Sequence, residues 1–226
     1  MIATIINSAA VVAGGLIGLL AKKGLPERVS KGIMTAIGLM LICTGVKGYF
    51  DGNSTIVAIL SLALGTGLGE LLRLEERLNR LGEHIGARVS RNGGSRVGEG
   101  LVTATLLFCV GAMAVLGALQ SGLAGDHTTL YTKSLIDFIS AILLASTYGV
   151  GVALSAIGVL VYQGAITLLA GFLAPVMTPA ATAELSAVGS ILLVGLGLNL
   201  AGAAKVRVMN MVPSIFIAIA LAQVIH

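Results

Sequence analysis

The sequence predicts an all-α membrane protein, a polytopic bundle of about eight transmembrane helices in one domain spanning residues 1–226. Three observations carry this. Hydrophobic residues make up 56% of the chain and charged residues 11%, with a mean hydropathy of +1.00, more apolar surface than a soluble core of this length can bury. The apolar runs are long and do not alternate with polar residues, which argues against barrel strands and for helices, whose backbone satisfies its own polar groups in hydrocarbon. Glycine occurs 31 times, costly in a water-exposed helix but a means of close helix approach in a bilayer.

The first apolar run covers residues 2–21; no basic region precedes it, so it is expected to be a spanning helix and not a secretory signal. Runs at 33–50, 55–72 and 101–119 follow, each near the ~20 residues that cross roughly 30 Å of hydrocarbon. The run at 134–173 has the length of two crossings, with a turn expected at Tyr148-Gly149-Val150-Gly151. Residues 185–200 and the short 211–225 bring the number of helices to eight.

Basic residues test that count through the positive-inside rule. Lys22, Lys23, Arg28 and Lys31 follow the first helix, Arg73, Arg77, Arg80, Arg88, Arg91 and Arg96 the third, and Lys205 and Arg207 the seventh. With eight crossings these all fall on one face, leaving only Lys47 and Lys133 of the 14 on the other. Both termini are therefore expected outside the cytoplasm. The two cysteines, Cys43 and Cys109, lie in apolar runs and imply neither a disulfide framework nor a zinc site.

Segment 70–91 is amphipathic. Leu71, Leu74, Leu78, Leu81 and Ile85 form one stripe, and Arg73, Glu76, Arg77, Arg80 and Glu83 the opposite face, with Glu76 and Arg80 at i,i+4. It is expected to lie on the cytoplasmic headgroups or against its own bundle, with a dimerising seam as the alternative. Internal similarity is weaker: Thr35-Ala36-Ile37-Gly38 resembles Ser186-Ala187-Val188-Gly189. In the expected topology this would relate helices one to three and six to eight as an inverted repeat, as in many transporters.

Several stretches carry a family resemblance: residues 108–113, Gly125-Asp126-His127, residues 133–137, Tyr162-Gln163-Gly164, and Asn199 onward through residues 208–213. They resemble the YqgA/YdfK family of bacterial membrane proteins, defined only as a domain of unknown function. The resemblance covers the whole chain and implies a bacterial cytoplasmic (inner) membrane protein, but supplies no activity, substrate or functional residue.

Candidate residues rest on the cost of polar groups in hydrocarbon. Lys47, near the end of the second helix, and Asp137, near the start of the fifth, have depths that allow a pair; alternatively each snorkels to the interface. Gln163, beside Tyr162 and Gly164, falls mid-span and must face protein or a cavity, as interhelical glue or as cavity lining with Tyr148, Thr44, Asn199 or Lys47. Asn199, Asn210 and Pro213 suggest irregular backbone at the inner face. Ala10, Gly14 and Gly18, like Gly65 and Gly69, form small-residue faces, expected to pack within the bundle, with a homo-oligomer as the alternative.

Function follows from these classes. Nucleic-acid binding lacks a basic, aromatic surface, for Trp is absent. An enzyme is not expected, since His84, His127 and His226 lie in separate segments; no catalytic residue, metal or cofactor is assigned. The reading is a transporter or channel for a small solute or ion, in contact with membrane lipid. The alternative is a non-transporting scaffold or regulator acting through segment 70–91.

Overall fold

The computed structural model describes residues 1–22, 26–77, 80, 94–109 and 112–225, and is all-helical there. In chain order the helices are α1 (Ile2–Lys22), α2 (Glu27–Tyr49), α3 (Thr55–Leu72), α4 (Gly94–Cys109), α5 (Ala112–Leu123), α6 (Thr128–Tyr148), α7 (Val150–Leu168), α8 (Ala170–Leu173), α9 (Pro179–Leu200), α10 (Val208–Met211) and α11 (Pro213–Ile225). Among the described residues seven spans are long and apolar enough to cross a membrane, and an eighth is made by α4 and α5 if that bent pair is one span.

Local chemistry sets the ends. Ser54 caps α3, its side chain accepting from Val57 N–H at 3.3 Å; Thr178 caps α9 in the same way through Ala181 N–H at 3.1 Å, with Pro179 in the first turn. Between α6 and α7 the chain reverses through Gly149 at φ 83°, ψ −148°, a backbone conformation open only to glycine, at the turn expected from the sequence.

Several boundaries differ from the apolar pattern for one reason: small and polar residues extend helices past their hydrophobic windows. α6 starts at Thr128 and not at 134, and α9 at Pro179 and not at 185. The final span, Val208–Ile225, has 18 residues, longer than the short segment expected, and is broken where Pro213 can donate no N–H. The apolar run at 101–119 is divided between α4 and α5, which are bent by 59°.

Segment 70–91 lies for the most part outside the described residues. Within them α3 ends on Arg73, which is left-handed at φ 49°; residues 74–77 are helical again, and Glu76 and Arg80 pair at 3.6 Å. An uninterrupted stripe from Leu71 to Leu74 is therefore not formed.

The chain forms two compact units. The first (Met1–Met34, Glu76–Cys109, Met113–Gly171) is organised around α1, which packs on α6 and α7. Gly14 and Gly18 set their bare backbones against the carbonyls of Phe138 and Ile142, and Gly15 meets Ala153, so α1 runs parallel to α6 and antiparallel to α7. Along α7, Gly151 abuts Val97 of α4, Gly158 abuts Thr105, and Thr167 abuts Gly122 of α5. The bent pair thus follows α7 in parallel for about 24 Å at 1.5 Å per residue.

In the second unit (Thr35–Glu75, Val110–Ala112, Phe172–His226), α2 runs antiparallel to α9, with Gly38 against Gly197 and Gly45 against Ser190. α3 runs antiparallel to α11, with Gly65 on Ser214 and Gly69 on the backbone of Asn210. Both sequence-predicted small-residue faces are thus used for packing inside a unit. The end of α3 and the residues after it are clasped to Arg207 and α10: Arg207 pairs with Glu70 at 2.9 Å, Glu75 Oε2 accepts from Met209 N–H at 3.2 Å, and Asn210 Oδ1 accepts from Glu75 N–H at 2.8 Å. Arg73, Lys205 and Arg207 accordingly share one end of this unit. Burial pushes the Glu75 carboxyl above its ordinary range against the opposing pull of the Met209 N–H.

Candidate functional site

The first unit holds a polar cluster built from α1, α6 and α7. Because α6 begins at Thr128, Asp137 stands about 14 Å along a helix about 31 Å long at 1.5 Å per residue, at mid-height. Lys133, one turn before it, donates from Nζ to Asp137 Oδ1 at 2.8 Å and Oδ2 at 2.6 Å. Asn7 of α1 donates from Nδ2 to Asp137 Oδ2 at 3.1 Å and to Gln163 Oε1 of α7 at 3.0 Å. Asn7 and Gln163 are fully buried, and Asp137 and Lys133 are 4% and 7% exposed. The Phe108 ring at the end of α4 lies 6.0 Å from the Lys133 ammonium.

Each amide is placed by the packing around it. Ser8 Oγ donates to Ala156 O at 2.8 Å and the Thr4 and Thr167 hydroxyls meet at 3.3 Å, which fixes the register of α1 on α7 on either side of Asn7. Both hydrogens of the Asn7 amide are used. Its Oδ1 has no hydrogen-bond partner, nor does Gln163 Nε2. A buried acceptor and a buried donor thus stand open beside a buried ion pair, an arrangement whose desolvation calls for a further polar group.

The sequence candidates distribute unevenly over this geometry. Gln163 and Asp137 are brought together through Asn7, and Tyr162, half-buried, precedes Gln163 on α7. The partner of Asp137 is Lys133, not Lys47; Lys47 and Thr44 are exposed on α2, in the second unit. Tyr148 is the last residue of α6 and donates to Glu99 Oε1 at 3.4 Å. Asn199 is consumed by the backbone of Val206, accepting from its N–H and donating to its carbonyl, both at 2.7 Å. Asn210 serves the clasp on α3. His127 is held by Ser121, Oγ to Nδ1 at 3.0 Å.

Sequence reasoning missed Asn7, Lys133 and Glu184. Glu184, fully buried on α9, accepts the N–H groups of Asn53 and Ser54 through Oε1 at 2.9 and 2.8 Å and so anchors the start of α3. A signal existed for each. Asn7 is the strongest hydrogen-bonding side chain in the first apolar run, and Lys133 and Asp137 have i,i+4 spacing; Lys133 and Glu184 each stand one residue ahead of an apolar run, at 134 and 185, and so escape a reading by hydropathy.

The stretches that carry the family resemblance meet this geometry: 108–113 flanks the 59° bend, 133–137 holds the ion pair and 162–164 the buried amide. Over 230 residues the chain is 35% identical to the uncharacterized membrane protein YdfK of Bacillus subtilis (strain 168), covering all of this chain (100%) and 97% of that one. It is 30% identical over 228 residues to the uncharacterized protein YqgA of Escherichia coli (strain K12), covering 98% and 96%. No solved structure matches it significantly. Residues 2–223 match the family described as protein of unknown function (DUF554), and the chain belongs to that family.

Proposed function

We propose that this protein moves a small solute or ion across the bacterial cytoplasmic membrane, with the Asn7, Lys133, Asp137 and Gln163 cluster as its binding site. The observation that carries the reading is the buried ion pair at mid-height of α6 beside an open amide acceptor and donor. Charge placed that deep is expensive, and the unpaired Asn7 Oδ1 and Gln163 Nε2 are groups a passing ligand can use. The bend between α4 and α5 adds support, since broken helices supply free backbone groups near transport sites. The reading is of a carrier or channel and not of an enzyme. The scaffold alternative depends on segment 70–91, most of which lies outside the described residues.

Purified protein in proteoliposomes tests it, with light scattering for neutral solutes and membrane currents for ions. Flux above that of empty liposomes is expected, and Gln163→Leu is expected to remove it while lowering stability by only about 1–2 kcal/mol, the scale of one interhelical hydrogen bond. Full flux in Gln163→Leu would make Gln163 glue alone; no flux of any solute or ion from folded protein rejects transport.

The proposed topology has eight crossings and both termini outside the cytoplasm. The parallel course of α4–α5 along α7 supports counting the pair once, and the shared end of Arg73, Lys205 and Arg207 agrees with the basic bias. Single cysteines near residues 28, 90 and 206 are expected to resist an impermeant thiol reagent in whole cells. Labelling at any of them overturns the assignment. The superposition of helices one to three on six to eight, expected from an inverted repeat, belongs to the same proposal; each unit draws helices from both groups, α1 with α7 and α3 with α11.

A further inference from the structure

We infer that Asp137 is the site of a monovalent alkali cation, with Lys133 as its tethered competitor; this rests on the cluster being the transport site. The resident pair already shows what the carboxylate binds. The Lys133 ammonium takes both carboxylate oxygens in a buried setting, the position a desolvated cation of unit charge would fill.

Three features make the exchange feasible. Within α6 the pair runs Lys first and Asp four residues on, the weaker of the two orders for an i,i+4 ion pair. Side chains on a helix lean toward its N-terminus, and Lys133 stands only about 8 Å along α6 from Thr128 at 1.5 Å per residue. Its four-carbon stem therefore lets the ammonium snorkel to the membrane face at that end while the methylenes stay in the apolar layer. The departure of Lys133 leaves a buried carboxylate that requires another cation.

The remaining ligands are oxygens from the two neighbouring helices. Asn7 now presents Nδ2 to both Asp137 and Gln163 and leaves Oδ1 without a partner. A half-turn of that amide brings Oδ1 to the place Nδ2 holds, beside Asp137 Oδ2 and Gln163 Oε1. Three oxygens so gathered, Asn7 Oδ1, Asp137 Oδ2 and Gln163 Oε1, repel one another unless a cation sits among them, which couples the amide rotation to cation arrival. Hard cations take such carboxylate and carbonyl oxygens. A divalent ion is disfavoured because Asp137 is, among the described residues, the only carboxylate with a hydrogen bond in the cluster.

Thermal unfolding of the purified full chain in lithium, sodium, potassium or choline chloride at constant ionic strength tests this. At least one alkali chloride is expected to raise the transition temperature saturably over choline. Asp137→Asn is expected to remove that dependence, and Lys133→Met to lower the half-saturating concentration at least tenfold by removing the competitor. Where Lys133→Met does not fold in choline, recovery of its folded state by alkali chloride alone is the expected result, and Lys133→Gln serves as the second variant. No saturable alkali dependence in folded wild-type and Lys133→Gln protein, or its persistence in Asp137→Asn, overturns the inference. Solute flux without alkali dependence would leave transport standing and remove the cation site; saturable alkali binding with no flux of any kind would do the reverse.

Discussion

Lys133→Met alone is expected to lower the stability of the protein by about 3–5 kcal/mol in a solution lacking alkali cations, because it strands a buried carboxylate. Lys133→Met together with Asp137→Leu is expected to recover most of that loss, since two apolar side chains of similar volume carry no desolvation cost. The residual, about 1 kcal/mol, belongs to Asn7, whose Nδ2 loses one of its two acceptors. Unfolding of the wild-type, two single and double variants in one detergent closes the cycle. The size of the single-variant losses separates a dry pair from a wet one: if water reaches the pair freely, each single variant costs under about 1 kcal/mol, as for exposed ion pairs. The observed exposures of 4% and 7% favour the large values. The comparison also fixes what the pair is for, since a double variant as stable as the wild type would mean that the charges contribute to function and not to folding.

The fold class was legible because the bilayer imposes a simple code: long apolar runs must be helices. The turn at Gly149 was legible for a local reason, glycines at the midpoint of a run with the length of two crossings. The 59° bend was not, because residues 101–119 read as one uninterrupted apolar stretch and nothing in hydropathy marks a change of axis.

The site was half legible. Gln163 and Asp137 stood out by the cost of polar groups in hydrocarbon, but a one-dimensional reading assigns partners by depth, and depth depends on helix ends. Placing the start of the fifth helix at 134 made Asp137 a boundary residue and Lys133 a loop residue, so Lys47 looked like the matching charge. With α6 running from Thr128 the pair is local. Asn7 meets two helices that are both far from it in sequence, 130 residues to Asp137 and 156 to Gln163; that convergence is a property of packing, which no periodicity within α1 encodes. Asn199 and Asn210 illustrate the opposite error. Both were suspect as polar residues near a broken span, and both are occupied in closing backbone hydrogen bonds of the loop and clasp.

Packing of small residues yields the sharpest contrast within one helix. Gly69 of α3 lies directly against the backbone of Asn210, and an added Cβ would fall on its carbonyl oxygen and carbon. The obstacle is main chain, held in place on both sides: Asn210 Oδ1 accepts from Glu75 N–H, and Met209 N–H donates to Glu75 Oε2. No rotamer change relieves it, so Gly69→Ala must push α10 away from α3 and weaken both bonds. The expected loss is about 3 kcal/mol, the upper part of the range for overpacking, with the fraction folded at a given detergent denaturant concentration falling accordingly. Gly67 lies two residues earlier on the same helix, where a Cβ would meet nothing within 4 Å. Gly67→Ala is therefore expected to be neutral or to stabilise by up to about 1 kcal/mol through helix propensity. Unfolding of the two single variants beside the wild type measures the difference. Equal effects at the two positions would show that α3 does not rest on Asn210 in the folded protein, and the clasp that ties Glu75 to Met209 and Asn210 would go with it.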